Sequence, residues 1–381
     1  MADPVRLFIV AGEPSGDRIG ADLVRRLRAQ RAVTLVGVGG DALGGEGLHS
    51  IFPMSDLSVM GLKDVLMRAP LLLWRIRQTT EAILKAQPDL VVLIDSQVFC
   101  QTVASRLRKR EYKGQIVLYV APSVWAWKPE RAPGLKPLYD EVLAVLPFEP
   151  AVMKRLEGPP TTYVGHPALT HTSLRATQPQ RGPLLLLPGS RRSELKKHLP
   201  LMRAMATTLR RHERISDFVL PTPRHEEAFV LEEVRSWDVP VYVTSSTAEK
   251  WKAFSEAVAA VAVTGTVTLE LALAGVPMVT TYVAERAQMS RAAQYKIRFA
   301  SLPNILYGDE LVPEVIGLKP RPEDVLAELE HLLDDAAAME FQRAGFARIR
   351  AGMEKGAPEA PLVDAAERVL AHLPQRLSIP T

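Results

Sequence analysis

The chain has 381 residues, 47% of them hydrophobic and 24% charged, and a formal net charge of +4. That is room for about two domains and a sizeable core, and the interspersion of Lys and Arg with Asp and Glu excludes a nucleic-acid footprint. One cysteine, Cys100, excludes an internal disulfide and a cysteine metal site; no apolar run approaches the ~20 residues of a transmembrane helix, and no charged leader precedes Val5, so a cytoplasmic protein is expected.

Short β-type runs alternate with helical patterns. Val5 to Ala11 leads to a helix from about Asp17 to Arg31, Thr34 to Val38 to a glycine-rich loop, and Leu90 to Ile94 to a helix over Gln101 to Lys109. Ile116 to Val120 and Glu141 to Val145 continue the series. A second series runs through Leu184 to Leu187, Phe218 to Leu220, Val241 to Thr244, Val258 to Val263 and Met278 to Tyr282. This alternation predicts two doubly wound α/β halves with parallel sheets: residues 1–170 and 171–345, joined by a linker over Gly165 to Pro183. A helical tail, 346–381, follows, with breaks near Gly356 to Pro361.

In open α/β sheets, ligands bind beyond the carboxyl ends of the strands, so the loops there are the candidate sites. Gly12 to Asp17 offers Glu13, Ser15 and Asp17; the alternative is a turn with Asp17 capping the helix. Gly37-Val-Gly-Gly-Asp-Ala42 mimics a dinucleotide fingerprint, but it follows the second strand and no carboxylate ends a strand about 20 residues later, which argues against NAD. Ser58 to Arg77 mixes Met60, Leu62, Val65 and Leu66 with basic residues; it is either a core-facing helix kinked at Pro70 or an interfacial stretch. Asp95, ending its strand, is placed to act as a general base, or else as a cap. Trp125 and Trp127 stand two apart in the next loop, as a sugar-stacking wall or as packing.

Leu184 to Glu194 reads as a buried strand, a turn at Pro188 and Gly189, and a helix from Ser193 to about Glu213. Helix-terminal N–H groups with Arg191 and Arg192 suit a diphosphate, although the P-loop spacing is absent. Thr264-Gly265-Thr266 opens another helix, with Glu270 one turn in, suited to an anion and a ribose diol; Thr266 as a cap is the alternative. There is no Asp-x-Asp and no His-Glu-x-x-His, so neither a metal nor another cofactor is expected.

Together these strings resemble the lipid-A-disaccharide synthases, inverting glycosyltransferases of the two-Rossmann-domain (GT-B) fold. The matching segments are Ala11-Gly-Glu-Pro-Ser-Gly-Asp17, Ser58-Val-Met-Gly61, Tyr119 to Arg131, Leu146-Pro-Phe-Glu149, Val164-Gly-His-Pro167, Leu187-Pro-Gly-Ser-Arg191 with Glu194, and Ser301-Leu-Pro-Asn304 with Glu310-Leu-Val-Pro-Glu314. The resemblance implies two domains facing across a cleft, and transfer of 2,3-diacylglucosamine from UDP-2,3-diacylglucosamine to 2,3-diacylglucosamine 1-phosphate. It implies Asp95 as base, with Glu13 beside it, and Gly189, Ser190 and Arg191 on the diphosphate. Thr264, Gly265, Thr266, Glu270, Asn304 and Glu310 would hold the nucleotide, while Ser15, Asp17, Met60, Leu62, Val65, Leu66, Trp125 and Trp127 would face the acceptor and its acyl chains. Association with the inner face of the cytoplasmic membrane is implied too, as is a tail that crosses to the first domain or to a partner subunit in a homodimer. After Asp95 the family usually continues Ala-Pro-Asp-Phe-Asn, whereas this chain reads Ser96-Gln-Val-Phe-Cys100. That leaves open another UDP-sugar transferase or epimerase of this fold, or a non-catalytic UDP- or lipid-binding homologue.

Overall fold

The computed structural model describes residues 4–57 and 62–373, without the side chains of 62–67 and 171. Residues up to Pro167, together with those from Met353 onward, form one compact unit, and Ala168–Gly352 form a second. The first carries a six-stranded sheet of β1 (Val5–Ala11), β2 (Val33–Val38), β3 (Leu90–Ile94), β4 (Ile116–Tyr119), β5 (Glu141–Ala144) and β6 (Thr161–Tyr163). Its order is β2-β1-β3-β4-β5-β6, every pair parallel. The second carries β7 (Gly182–Leu187), β8 (Ile215–Pro221), β9 (Tyr242–Thr244), β10 (Ala259–Val263), β11 (Met278–Val283) and β12 (Glu314–Gly317), ordered β12-β11-β10-β7-β8-β9 and again parallel. Both units are therefore doubly wound, as the alternation predicts.

Every residue of β3 and of β10 is buried. Helices cover both faces of a parallel sheet, which is why these strands read as unbroken apolar runs rather than alternating ones. Helix α1 (Pro14–Gln30) turns Ile19, Leu23, Val24 and Leu27 inward. After the short α2 (Asp41–Gly45) and the long α3 (Leu62–Ala86), α4 (Gln97–Lys109) buries Phe99, Val103, Ala104 and Leu107. Each such large aliphatic side chain contributes about 1.5–3 kcal/mol.

The structure departs from expectation at element ends and sheet edges. Helix α1 begins at Pro14 rather than about Asp17, because Glu13 is extended and Pro14 supplies the φ of a first helical turn. The helix after β7 spans Arg192–Leu209, starting ahead of Ser193 and stopping short of Glu213. Strands β6 and β12 have no counterpart in the expected series. Short and partly exposed, they exist by pairing with β5 and β11 and carry no periodicity of their own. Much of the expected linker is anchored to the second unit, where Arg175 Nε donates to Gly275 O at 2.9 Å and Gln178 Nε2 to Val258 O at 2.6 Å.

Beyond Met353 the chain pairs Gly356 with Pro361 in a tight hairpin and forms the helix Ala365–Ala371 on the first unit. Asp364 caps that helix and pairs with Arg26 at 3.0 Å. Arg368 Nε and the His372 ring reach Glu141, a buried carboxylate opening β5, at 2.8 and 2.5 Å. Burial opposes ionisation of Glu141, but hydrogen bonds from His372, Thr162 and Arg368 outweigh it and hold its carboxyl below the usual range. A carboxyl depressed in the folded state stabilises above its unfolded pKa and loses that contribution as pH falls through the folded value. Glu141→Gln is thus expected to flatten the decline of the thermal midpoint below about pH 4. Parallel midpoint–pH curves for the two proteins would refute this role.

Candidate active site

In the first unit the chain leaves β1 for β2 on one side, then places β3 on the other, so the topological switch point lies between β1 and β3. Ala11 and Ile94 are register partners there, which sets Gly12, Glu13 and the start of α1 beside Asp95. The approach is close: a Cβ on Gly12 would lie 1.8 Å from Ser96 Oγ. Asp95 and Ser96 are both left-handed, at φ 53° and 38°, and Val120, directly after the neighbouring β4, has φ 74°. A left-handed β-branched residue is a genuine outlier, and such residues cost about 1–3 kcal/mol each. Three left-handed residues, one of them β-branched, thus follow two adjacent strands and make this edge a candidate site. Asp95 is half-buried, and its N–H donates to Tyr119 O at 3.0 Å. Glu13 and Ser15, also half-buried, begin α1, which has no side-chain cap.

Two candidates in this unit prove to be structural. Asp17 is buried, and its carboxylate accepts the N–H groups of Gly40 at 2.7 Å, Ala42 at 2.8 Å and Leu43 at 3.2 Å. It is therefore turned to the start of α2, not to a ligand, and it fills the place a phosphate would need in the Gly37–Ala42 loop. Trp125 donates its indole N–H to Glu149 at 3.3 Å and packs edge-on against Phe148. Glu149 is buried; burial pushes its carboxyl up to about 7, against hydrogen bonds from Leu146, Trp125 and Val145. Trp125 thus pins its loop to the end of β5. Trp127 is half-buried, with Lys128 and Arg131 on its ring. Met60 lies outside the described residues, as do the side chains of Leu62, Val65 and Leu66. Farther along α3, Leu73 and Trp74 are each 53% exposed, between the exposed Arg68 and Arg77, while Ile76 and Ile83 face the core. The core-facing reading thus holds at Ile76, while Leu73 and Trp74 stand exposed on the same helix.

The second unit repeats the logic. Its switch point lies between β7 and β10, where Leu187 and Ala262 are partners, so the turn Pro188–Arg191 stands beside Thr264–Thr266. Gly189 has φ 114°, and a Cβ there would lie 2.7 Å from that of Glu194. Glu194 accepts the Ser190 N–H at 3.1 Å and meets Arg191 Nη1 at 3.4 Å, so the turn is wrapped around this carboxylate. Arg191 remains 43% exposed. Arg192, expected as a second cation for the anion, instead pairs with the buried Glu226 and lies over the Phe229 ring. His198 fastens the turn from behind: Nδ1 is 2.8 Å from Glu194 O, and Nε2 accepts the Val283 N–H at 2.9 Å. Burial lowers its pKa, and with Nε2 accepting the imidazole is neutral.

The helix Thr266–Ala274 has Gly265 at its N-cap and no side-chain cap, so Thr266 does not cap it. Gly265 and Thr266 are exposed and Thr264 half-buried. Glu270 pairs with Lys250 at 2.8 Å, and Lys250 lies over the rings of Trp251 and Phe254. Asn304, expected on the nucleotide, is fully buried and satisfied. Its amide donates to Val312 O and Glu314 Oε1, and its carbonyl accepts the N–H groups of Leu311 and Val312. Glu314 also accepts from Ser301 N and Oγ. The Ser-Leu-Pro-Asn string is thus a clasp that shapes residues 308–314, with Glu310 exposed beyond it. Asn304→Ala strips these partners together and is expected to cost about 3 kcal/mol or more in denaturant unfolding. A loss below about 1 kcal/mol would contradict the clasp.

Reasoning from sequence names neither Glu194 nor His198 as a support, nor Lys128 and Arg131 as a charged pair. The available signals are the i,i+4 spacing of Glu194 and His198 and the basic residues flanking Trp127.

The family described as lipid-A-disaccharide synthetase matches residues 7–362. A lipid-A-disaccharide synthase of Rhodopseudomonas palustris is 42% identical over 97% of this chain and 96% of its own. One from Rhodospirillum centenum is 37% identical, covering 98% and 96%. Among solved structures, the calicheamicin glycosyltransferase superposes with a TM-score of 0.60 at 20% identity, covering 99% of this chain and 100% of its own. A co-structure of S. aureus MnaA with UDP gives 0.60 at 12%, covering 94% and 99%. At those identities the structures speak to the fold, two doubly wound units as in GT-B glycosyltransferases and epimerases. The near-complete family match, with relatives aligned over nearly their whole length, places the chain in the lipid-A-disaccharide synthetase family of glycosyltransferases.

Proposed function

We propose that the protein transfers 2,3-diacylglucosamine from its UDP form to the 6-hydroxyl of 2,3-diacylglucosamine 1-phosphate with inversion, giving the β(1→6) disaccharide precursor of lipid A. The observation that carries this reading is Asp95, held left-handed at the switch point of the first unit in a chain of this family. Asp95 takes the proton of the acceptor 6-hydroxyl. The oxygen attacks C1 of the donor sugar, the new O6–C1 bond forms as the C1–O bond to the diphosphate breaks, and the electron pair leaves with UDP. In the second unit Arg191 and the Gly189–Ser190 backbone receive that developing charge. Thr264, Gly265, Thr266, Glu270 and Glu310 hold the nucleotide, and Glu13 and Ser15 hold the acceptor sugar. No metal is required, since Arg191 and the two helix starts supply the positive charge.

Among the described residues no helix is long and apolar enough to cross a membrane. The exposed Leu73 and Trp74, flanked by Arg68 and Arg77, support contact of α3 with the cytoplasmic membrane surface and with acyl chains. Purified protein incubated with both lipid substrates and a chelator is expected to release UDP and form the disaccharide. Absence of product, with and without added Mg²⁺, would overturn the reading.

A further inference from the structure

We propose that Lys128 and Arg131, which bracket Trp127, form the subsite for the anomeric phosphate of the acceptor; this rests on the function proposed above. Lys128 Nζ lies 4.7 Å and Arg131 Cζ 5.8 Å from the centroid of the Trp127 ring, so one indole organises two cations. Arg131 Nη2 donates to Gln101 Oε1 at 3.3 Å. Gln101 stands four residues into α4, which itself starts two residues after Asp95, so the guanidinium is met only about 6 Å along the helix axis from its first residue. The loop bearing the cations leaves β4 where Tyr119 O accepts the Asp95 N–H. Base and cations therefore share one end of one sheet.

Among the described residues no carboxylate pairs with Lys128 or Arg131. Elsewhere in this unit Arg26 pairs with Asp22 and Asp364, Arg75 with Asp56 and Arg108 with Asp140, whereas the half-buried Arg31 and Arg106 pair with no carboxylate among the described residues. Lys128 and Arg131, also half-buried, meet the indole and one amide, and the exposed Glu130 between them pairs with neither. Lys128 is held left-handed as well, at φ 54°. Half-buried cations fixed in a costly turn without a counter-ion suit an anionic ligand. In glucosamine 1-phosphate the ring carbons that carry the 6-hydroxymethyl group and the phosphate both adjoin the ring oxygen, so a base and two cations at one end of one sheet suit both groups, with an indole beside the cations to pack on the sugar.

The test compares kcat/KM for the acceptor with and without its 1-phosphate, in wild type, Lys128→Ala and Arg131→Gln. Wild type is expected to favour the phosphorylated acceptor, and each substitution to reduce that ratio about tenfold or more, the worth of a charge-assisted hydrogen bond. The ratio is taken within one protein preparation, so incomplete folding of a variant does not move it. A ratio unchanged in both variants, while the wild type makes disaccharide, overturns the phosphate subsite alone. A wild type inactive on either acceptor overturns the reading beneath it.

Discussion

Asp95→Asn is expected to lower kcat by about 10²–10⁴-fold while leaving the thermal midpoint and the donor KM near wild type. The size follows from removing a general base that must accept the acceptor proton as the O6–C1 bond forms. The selectivity follows from the backbone: residue 95 sits at φ 53°, followed by Ser96 at 38°. Asn visits the left-handed region about as readily as Asp, so the strand-to-helix corner keeps its shape. A β-branched replacement such as Asp95→Val would confound chemistry with strain. Steady-state kinetics beside a melting curve checks the expectation; a variant retaining more than about a tenth of wild-type kcat would remove Asp95 from the role of base.

Arg191→Ala is expected to lower kcat by about 10²–10³-fold, corresponding to the loss of a preorganised donor to a charge that grows in the transition state. Arg191→Lys should recover part of this, because a point charge remains while the planar fork is lost. In the structure Arg191 Nη1 is 3.4 Å from Glu194, and the Ser190 N–H is bonded to the same carboxylate. The turn is thus held in shape before a donor arrives. Donor KM and kcat measured separately decide the matter: a rise in KM alone would mean that Arg191 binds UDP in the ground state without stabilising its departure.

Much of the fold is legible because parallel strands buried on both faces write themselves as apolar runs. Leu90–Ile94 and Ala259–Val263 could scarcely be anything else. The candidate site is legible to the extent that glycines and polar residues follow those runs, as at Gly12, Asp95, Gly189 and Gly265. Roles were not legible in the same way. Asp17 reads from sequence as a candidate ligand contact, yet in the first turn of α1 its carboxylate is taken up by N–H groups of Gly40, Ala42 and Leu43. Arg191 and Arg192 are neighbours, yet Arg192 is drawn to the buried Glu226 while Arg191 meets Glu194 of its own turn.

By itself, then, the sequence determined the fold class, the positions of the loops beyond the strands, and the family, all of which depend on local pattern and on strings of residues in order. Only the tertiary structure decided which polar side chains are already satisfied and which remain open to a ligand, and which short segments, β6 and β12, become edge strands. The physical reason is that a hydrogen bond is indifferent to sequence distance. Whether Asn304 meets a nucleotide or clasps Leu311, Val312 and Glu314 is settled by what the fold brings within 3 Å of its amide.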